Sequence, residues 1–506
     1  MNVLTAAAGV QSIDWTLLLP VLFTAVGALA VLVADLFLTE ERKAWLPWGT
    51  VGVLAAGLAA EIVLWTQQSA DARGTFCLPG GPNQALSAAG LCSYSVDDFT
   101  LTLQTLALGA TLLVVLMAPS RFKVPFGEYH FLVLSSLTGA LVLVAARDFI
   151  TITVALETLS LPAFALVGFG RRAGGEAALK FFLMSIASTA VMLFGISLVY
   201  GATGSVYFSA VARGLALHQS TAGPVAATGV VLTLVGFAFK VSAVPFHFWT
   251  PEVYAGAPIP VAAFLSVVSK SAGFAGLILT VNLAFHPYAH SVGILVAVLA
   301  AATMTVGNVI ALRQRSAVRL LAWSSVAQAG YVLVPLAVSA SNQVSASVAY
   351  LVLYAVMNLG AFAVVSALFG GADGQQSGGE LAEYRGLYRE RPRAAIALAF
   401  FLLCLAGLPP GVMGLFAKVA VFKAAVTGNL VWLAAVMAVN VVVALYYYLR
   451  WAAVLFTAAD PDLIPAPRRP RSVLPLAPRL AVGLALLLAV VFSFWPNPAL
   501  DALTLQ

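Results

Sequence analysis

Apolar stretches of 18 or more residues recur from one end of the chain to the other, separated by short polar segments. Each is long enough to cross about 30 Å of hydrocarbon as a helix. Fourteen spans are predicted, at about 14–38, 46–66, 98–117, 129–146, 148–169, 176–201, 223–246, 257–284, 291–311, 317–337, 344–369, 394–427, 430–457 and 479–497. The alternating segments of about ten residues that mark a membrane β-barrel are not seen. The twelfth span is long and carries Pro409-Pro410, so it is expected to break there. The longest polar stretches, 67–97, 370–393 and 459–478, are too short for a soluble domain. The first span reads as a retained helix rather than a signal peptide, because nothing basic precedes it and no clear small-residue cleavage site follows.

Composition agrees with this pattern. Of 506 residues, 61% are hydrophobic and 9% charged, against about 25% charged in soluble domains. The predicted fold class is an all-α integral membrane protein. Its basic residues then orient it. With both termini outside, the inner loops hold 17 Lys and Arg and the outer loops 3, namely Arg73, Arg147 and Arg213. That bias follows the positive-inside rule and supports an even number of spans. The net charge of +6 is thus an orientation signal and needs no nucleic acid to explain it.

The same orientation puts the 67–97 loop outside, with Cys77 and Cys92 in it. A disulfide between them would close a loop of about 15 residues, worth about 3 kcal/mol in the chain-entropy model; two unpaired thiols is the alternative. Three cysteines (the third is Cys404) are too few for an iron–sulfur cluster on four thiolates. There is no Walker A sequence, and GFGRRAGG at 168–175 follows an apolar helix with the wrong spacing for a dinucleotide site. Nothing suggests that this chain binds a nucleotide or carries electrons.

The informative residues are ionisable groups inside spans: Glu157 in span 5, Lys180 in span 6, Lys240 and His247 in span 7, Lys270 in span 8 and Lys418 in span 12. A charge at the helix centre costs about 2.5–3.5 kcal/mol on insertion scales. Lys180, Lys240, Lys270 and Lys418 are therefore expected to face the bundle interior. One carboxylate cannot neutralise four ammonium groups. Desolvation favours the neutral amine, so a buried lysine can exchange a proton near neutrality, as a relay requires. Lys423 and Arg450 read as interfacial. Snorkelling is the bland reading for Lys180, and a hydrogen-bonded polar group for His247.

Spans 7 and 12 both carry a lysine beside a proline break, five spans apart. This placement suggests two five-helix repeats, inverted in the membrane, of spans 4–8 and 9–13. The expected organisation is an N-terminal unit (1–128), a first repeat (129–284), a second repeat (291–457) and an inner basic loop with the last helix (458–506).

The stretch FKVSAVPFHFWTPEVYAGAPIPVAAFLSVVSK at 239–270 resembles the subunit N family of bacterial proton-translocating NADH–quinone oxidoreductase (complex I). LETLSLPAFALVGF (156–169), EAALKFFLMSIAST (176–189), RLLAWSSVAQAGY (319–331) and GLPPGVMGLFAKVAVF (407–422) resemble the same family. The likeness covers about 95–460. It implies that Glu157 pairs with Lys240, that Lys270 is the central lysine of span 8, and that Lys418 faces the outward half-channel. Lys180 is similar to a lysine on the uptake side, and His247 to a histidine at the span 7 break. Gln328 departs from the pattern, standing where several relatives have a titrating histidine.

The resemblance further implies a proton pump in a bacterial cell membrane. It would be driven by NADH-to-quinone electron transfer in partner subunits that hold FMN, iron–sulfur clusters and quinone. Antiporter-like subunit M and the small subunit K are the implied neighbours. Two other readings remain at this point: a sodium/proton antiporter subunit, which a single deep carboxylate disfavours, and a scaffold whose charges only fix packing.

Overall fold

The structure, a computed structural model, describes residues 13–67, 72–78, 91–118, 125–170, 174–217, 219–338, 343–369, 378–458 and 475–500. In chain order its first elements are α1 (Leu19–Phe37), α2 (Leu46–Gln67), the strands β1 (Arg73–Cys77) and β2 (Cys92–Val96), α3 (Asp98–Met117), α4 (Phe126–Ala145), α5 (Phe149–Gly168) and α6 (Gly174–Thr203). There follow α7 (Phe208–Leu217), α8 (Gln219–Lys240), α9 (Trp249–Gly256), α10 (Ile259–Phe264), α11 (Lys270–Leu279), α12 (Ala289–Ala311), α13 (Ala317–Leu336) and α14 (Gln343–Phe369). The last are α15 (Leu387–Glu390), α16 (Pro392–Ala406), α17 (Met413–Thr427), α18 (Val431–Phe456), α19 (Leu476–Phe494) and α20 (Asn497–Leu500).

Thirteen helical segments among the described residues are long and apolar enough to cross a membrane. The expected twelfth span is not one of them, because it is divided into α16 and α17, each of 15 residues. The cause is local. Gly407 adopts a left-handed conformation (φ 82°) at the end of α16, and Pro409-Pro410 follows, where neither residue has an N–H to continue a helix. The seventh span is likewise split between α8 and α9. Ser242 there has a positive φ of 63°, and the Val244 N–H leaves the helix to donate to Thr303 Oγ1 at 2.9 Å.

Three features are absent from the sequence reading. Residues 14–18 precede α1 rather than open it. A short helix, α7, lies between the sixth and seventh spans. Within 67–97 the strands β1 and β2 pair antiparallel with Cys77 opposite Cys92, and the disulfide weighed above between these two cysteines is formed. Arg121, Lys123, Arg171, Arg172, Arg468, Arg469 and Arg471, which carry much of the orientation argument, lie outside the described residues.

The centre of the bundle is the segment Ile259–Ala284, buried along its length, flanked by α13 and α14, which are almost as buried. α1 and α19 are peripheral. Buried polar caps fix the helix starts. Asp97 accepts from the Thr100 N–H at 2.9 Å, and Asp148 from the N–H groups of Ile150 and Thr151 at 2.8 and 2.7 Å, satisfying donors that the first helical turn leaves free. Arg147, counted above as an outer-loop cation, is buried against Asp97 at 2.8 Å and its backbone N–H donates to Ser93 O. A desolvated pair of this kind adds little net stability but holds elements in register.

Candidate functional site

Lys240 is the last residue of α8 and is 6% exposed. Its Nζ donates to Ser160 Oγ of α5 at 2.6 Å and to Ser185 Oγ of α6 at 3.1 Å. Glu157, one turn before Ser160, is not in contact with it. Its Oε1 accepts instead from Thr189 Oγ1 at 2.8 Å. The expected direct pair is thus replaced by two hydroxyls on Lys240 and a third on Glu157. Ser185 and Thr189 are i and i+4 on one face of α6, so a single helix face serves both charges. Neutral oxygens at about 3 Å suit an amine that both holds and releases a proton better than a locked ion pair would.

The end of α8 is closed by Trp249, whose Nε1–H donates to Phe239 O at 2.9 Å. Trp249 stacks on Phe181 with centroids 4.5 Å apart. Phe181 is the neighbour of Lys180, which differs from expectation. Rather than facing the interior, Lys180 is exposed, pairing with Glu176 at 2.8 Å and with Glu252 at 2.9 Å. Its side chain is 45% accessible, so the interior-facing lysines are three, not four. Lys423 and Arg450 are exposed as well. His247 is buried, with its ring edge-on to Trp323 at 5.3 Å and its Nδ1 without a partner.

Lys270 opens α11 directly after a π-helical turn, Leu265–Ser269. Such turns insert a residue and re-aim the side chains that follow. Its Nζ donates to Ser325 O at 2.8 Å and Ser325 Oγ at 2.6 Å, on α13. Gly273, one turn on, brings this helix against the end of α8. A Cβ at Gly273 would lie 3.2 Å from Lys240 Cβ, so the two lysine-bearing segments touch.

Lys418, on α17, donates to Leu405 O at 3.0 Å and Ala406 O at 2.6 Å. These are carbonyls that the end of α16 leaves unpaired, at the negative end of its dipole. α17 gets this close because Gly414 has no side chain; a Cβ there would meet Cys404 O at 1.7 Å.

α14 packs against α17 and against the π turn that precedes Lys270. The hydroxyls of Tyr354 and Tyr254 lie beside Ser325 but outside full hydrogen-bond geometry with it. Asn358 donates to Ser266 Oγ at 2.7 Å and leaves its Oδ1 unpaired. Buried polar atoms without protein partners mark places for ordered water. Gln328 is partnered at both amide atoms: Tyr350 Oη donates to its Oε1, and its Nε2 donates to Tyr448 Oη at 3.2 Å. Tyr448 also bonds Ser324 at 2.5 Å.

Ser160, Ser185, Thr189, Ser325, Tyr354, Asn358 and Glu252 were all missed from sequence. Hydroxyls are ordinary in membrane helices, so only their placement beside a lysine distinguishes them. Glu61 was missed too, although a carboxylate within an apolar span was a readable signal. It is 1% exposed on α2, so Glu157 is not the only deep carboxylate. Among the described residues, no group of three His, Cys, Asp or Glu could hold a metal ion.

Comparison with known proteins gives a consistent picture. The family described as NADH:quinone oxidoreductase/Mrp antiporter, TM, matches residues 146–444. NADH-quinone oxidoreductase subunit N 2 of Streptomyces griseus is 52% identical over 98% of this chain and 94% of its own length. Subunit N of Salinispora tropica is 43% identical over 90% and 88%. A chain of respiratory complex I from Thermus thermophilus superposes with a TM-score of 0.74 at 31% identity, covering 95% of this chain and 98% of that one. The Mrp complex from Dietzia, at 21% identity and a TM-score of 0.80 over 97% and 96%, shares the fold. On a family match spanning more than half its length and on relatives aligned almost end to end, the chain belongs to the NADH:quinone oxidoreductase/Mrp antiporter membrane subunits, in the subunit N branch.

Proposed function

We propose that this subunit relays protons through Lys240, Lys270 and Lys418 in that order, as a module of a redox-driven complex I. The observation that carries the reading is the surroundings of the three buried lysines. Each meets only neutral oxygens, and the first two sit on helix segments in contact at Gly273. Protons reach Lys240 from the inner face, where Lys180, Glu176 and Glu252 form an exposed charged mouth and His247 lies behind the helix break. Glu157 stabilises the charged form of Lys240 at a distance, and its hydrogen bond to Thr189 tunes that field. Water at Tyr254, Tyr354 and Asn358 carries the proton from Lys270 toward Lys418, which releases it outward.

In this reading spans 4–8 and 9–13 are inverted repeats with their breaks at α8–α9 and α16–α17. Both termini lie on the outer side of a bacterial cell membrane. The chain has no redox site of its own; FMN, iron–sulfur clusters and quinone belong to partner subunits, with M and K as neighbours. Lys240→Met and Glu157→Ala test the relay in assembled complex reconstituted in vesicles. Loss of redox-driven proton uptake in Lys240→Met, and a reduced rate in Glu157→Ala, is expected. Pumping at full stoichiometry in both would refute it.

A further inference from the structure

Outside the lysine row, Glu61 is the most isolated charge-bearing group of the described residues. It lies on α2, about 9 Å from the helix end at Gln67 by helical rise. It is 1% exposed, and neither carboxyl oxygen has a hydrogen-bond partner. No Lys, Arg or His among the described residues pairs with it. Gly57 of α2 packs on Leu108 of α3, and Leu64 shares a small cluster with Leu101. This antiparallel register puts Glu61 opposite Gln104. Tyr94, which bonds Gln104, lies within range of the Glu61 charge.

The hydrogen-bond inventory of Gln104 then decides the matter. Its Nε2 donates to Leu141 O at 2.8 Å and to Tyr94 Oη at 3.0 Å, using both of its hydrogens. Leu141 O can only accept, so the amide orientation is set. Gln104 Oε1 is left buried without a donor. An ionised carboxylate opposite would place acceptor against acceptor; a carboxylic acid supplies the one donor that the cluster lacks. We propose that Glu61 is a proton-binding site, separate from the lysine row, holding its proton on a hydrogen bond to Gln104 Oε1.

The surrounding charges leave this arrangement undisturbed. Arg147 faces Tyr94 but is committed to Asp97 at 2.8 Å, Arg73 beyond the end of α2 is committed to Asp14 at 2.8 Å, and Asp98 lies at the start of α3. Asp35 of α1, Glu128 and His130 of α4, and Arg42 and Lys43 before α2 all sit toward the opposite end of these helices.

Infrared difference spectra of the assembled complex, wild type minus Glu61→Gln at neutral pH, test this. The expected result is a carbonyl band of a protonated carboxyl, present in the wild type and lost in the variant. Glu61→Gln, whose amide can also donate to Gln104, should assemble to the wild-type level, and Glu61→Ala to several-fold less. Ionised carboxylate bands in the difference spectrum, a band that moves with sodium rather than pH, failure of Glu61→Gln to assemble, or equal assembly of Glu61→Ala would each overturn the proposal.

Discussion

Lys240 Nζ lies 2.6 Å from Ser160 Oγ, and Ser160 is placed to receive it by its own bond to Leu156 O within α5. The hydroxyl thus stands where a carboxylate was expected. Its orientation is fixed, because its hydrogen is used by the helix and only lone pairs face the lysine. An ammonium there gains two acceptors without being trapped by a counter-charge.

Ser160→Ala should therefore weaken the charged form of Lys240 while leaving the fold intact. A hydrogen bond to a charged group is worth about 1.5–3 kcal/mol, so proton uptake by assembled complex is expected to fall at least about tenfold. Ser185→Ala, which removes the longer of the two contacts, should do less. Vesicle pumping assays with NADH oxidation measured in parallel check this; equal rates in wild type and Ser160→Ala would show that the contact is incidental.

Lys180 should behave as a surface group. Its two ion pairs, to Glu176 and Glu252, are exposed and screened by salt. Lys180→Gln is expected to slow pumping only partly, with a deficit that changes with ionic strength, whereas Lys240→Met abolishes it. A complete block in Lys180→Gln would place that residue in the obligatory path.

The break between α16 and α17 depends on a bare backbone. Gly414→Ala sets a Cβ 1.7 Å from Cys404 O, a clash that only backbone movement relieves. Overpacking of this sort typically costs about 1–3 kcal/mol, and the movement also pulls Lys418 from its carbonyls. The assembled yield and pumping of Gly414→Ala should both drop. Gly175→Ala, where a Cβ meets nothing within 4 Å, is the matched control and should be silent.

The β1–β2 pair should loosen in acid. Asp14 is held below the usual carboxylate range, first by the Thr16 hydroxyl and, against an opposing desolvation, by Arg73 at 2.8 Å. A carboxyl lowered by folding contributes stability above its unfolded range and loses it as pH falls through the folded value. Asp14 is partly exposed, so the effect is modest. Protection from hydrogen exchange at 73–77, relative to the intrinsic rate at each pH, should fall only below the ordinary carboxylate range, and Asp14→Asn should show the lower protection at every pH.

What the chain determined by itself was set by quantities local to it. Length and apolarity of each stretch specify helices that cross a membrane, because hydrocarbon offers the backbone no other partner. Pro245 and Pro409-Pro410 specify where two of them break. Lys240, Lys270 and Lys418 were legible because a charge in an apolar span has to be accommodated inside the bundle. The tertiary structure decided how each is accommodated, because that depends on what neighbouring helices present at the same depth. Serine hydroxyls, not Glu157, touch Lys240; Ser325 holds Lys270 after a π turn; helix-end carbonyls hold Lys418. It also turned Lys180 outward, since a residue near a helix start can face either way with the same local sequence. Glu61 was visible in the sequence as a charge, but the unpaired Gln104 Oε1 emerges only once the helices are packed, and the proposed bond between them rests on the register of α2 and α3.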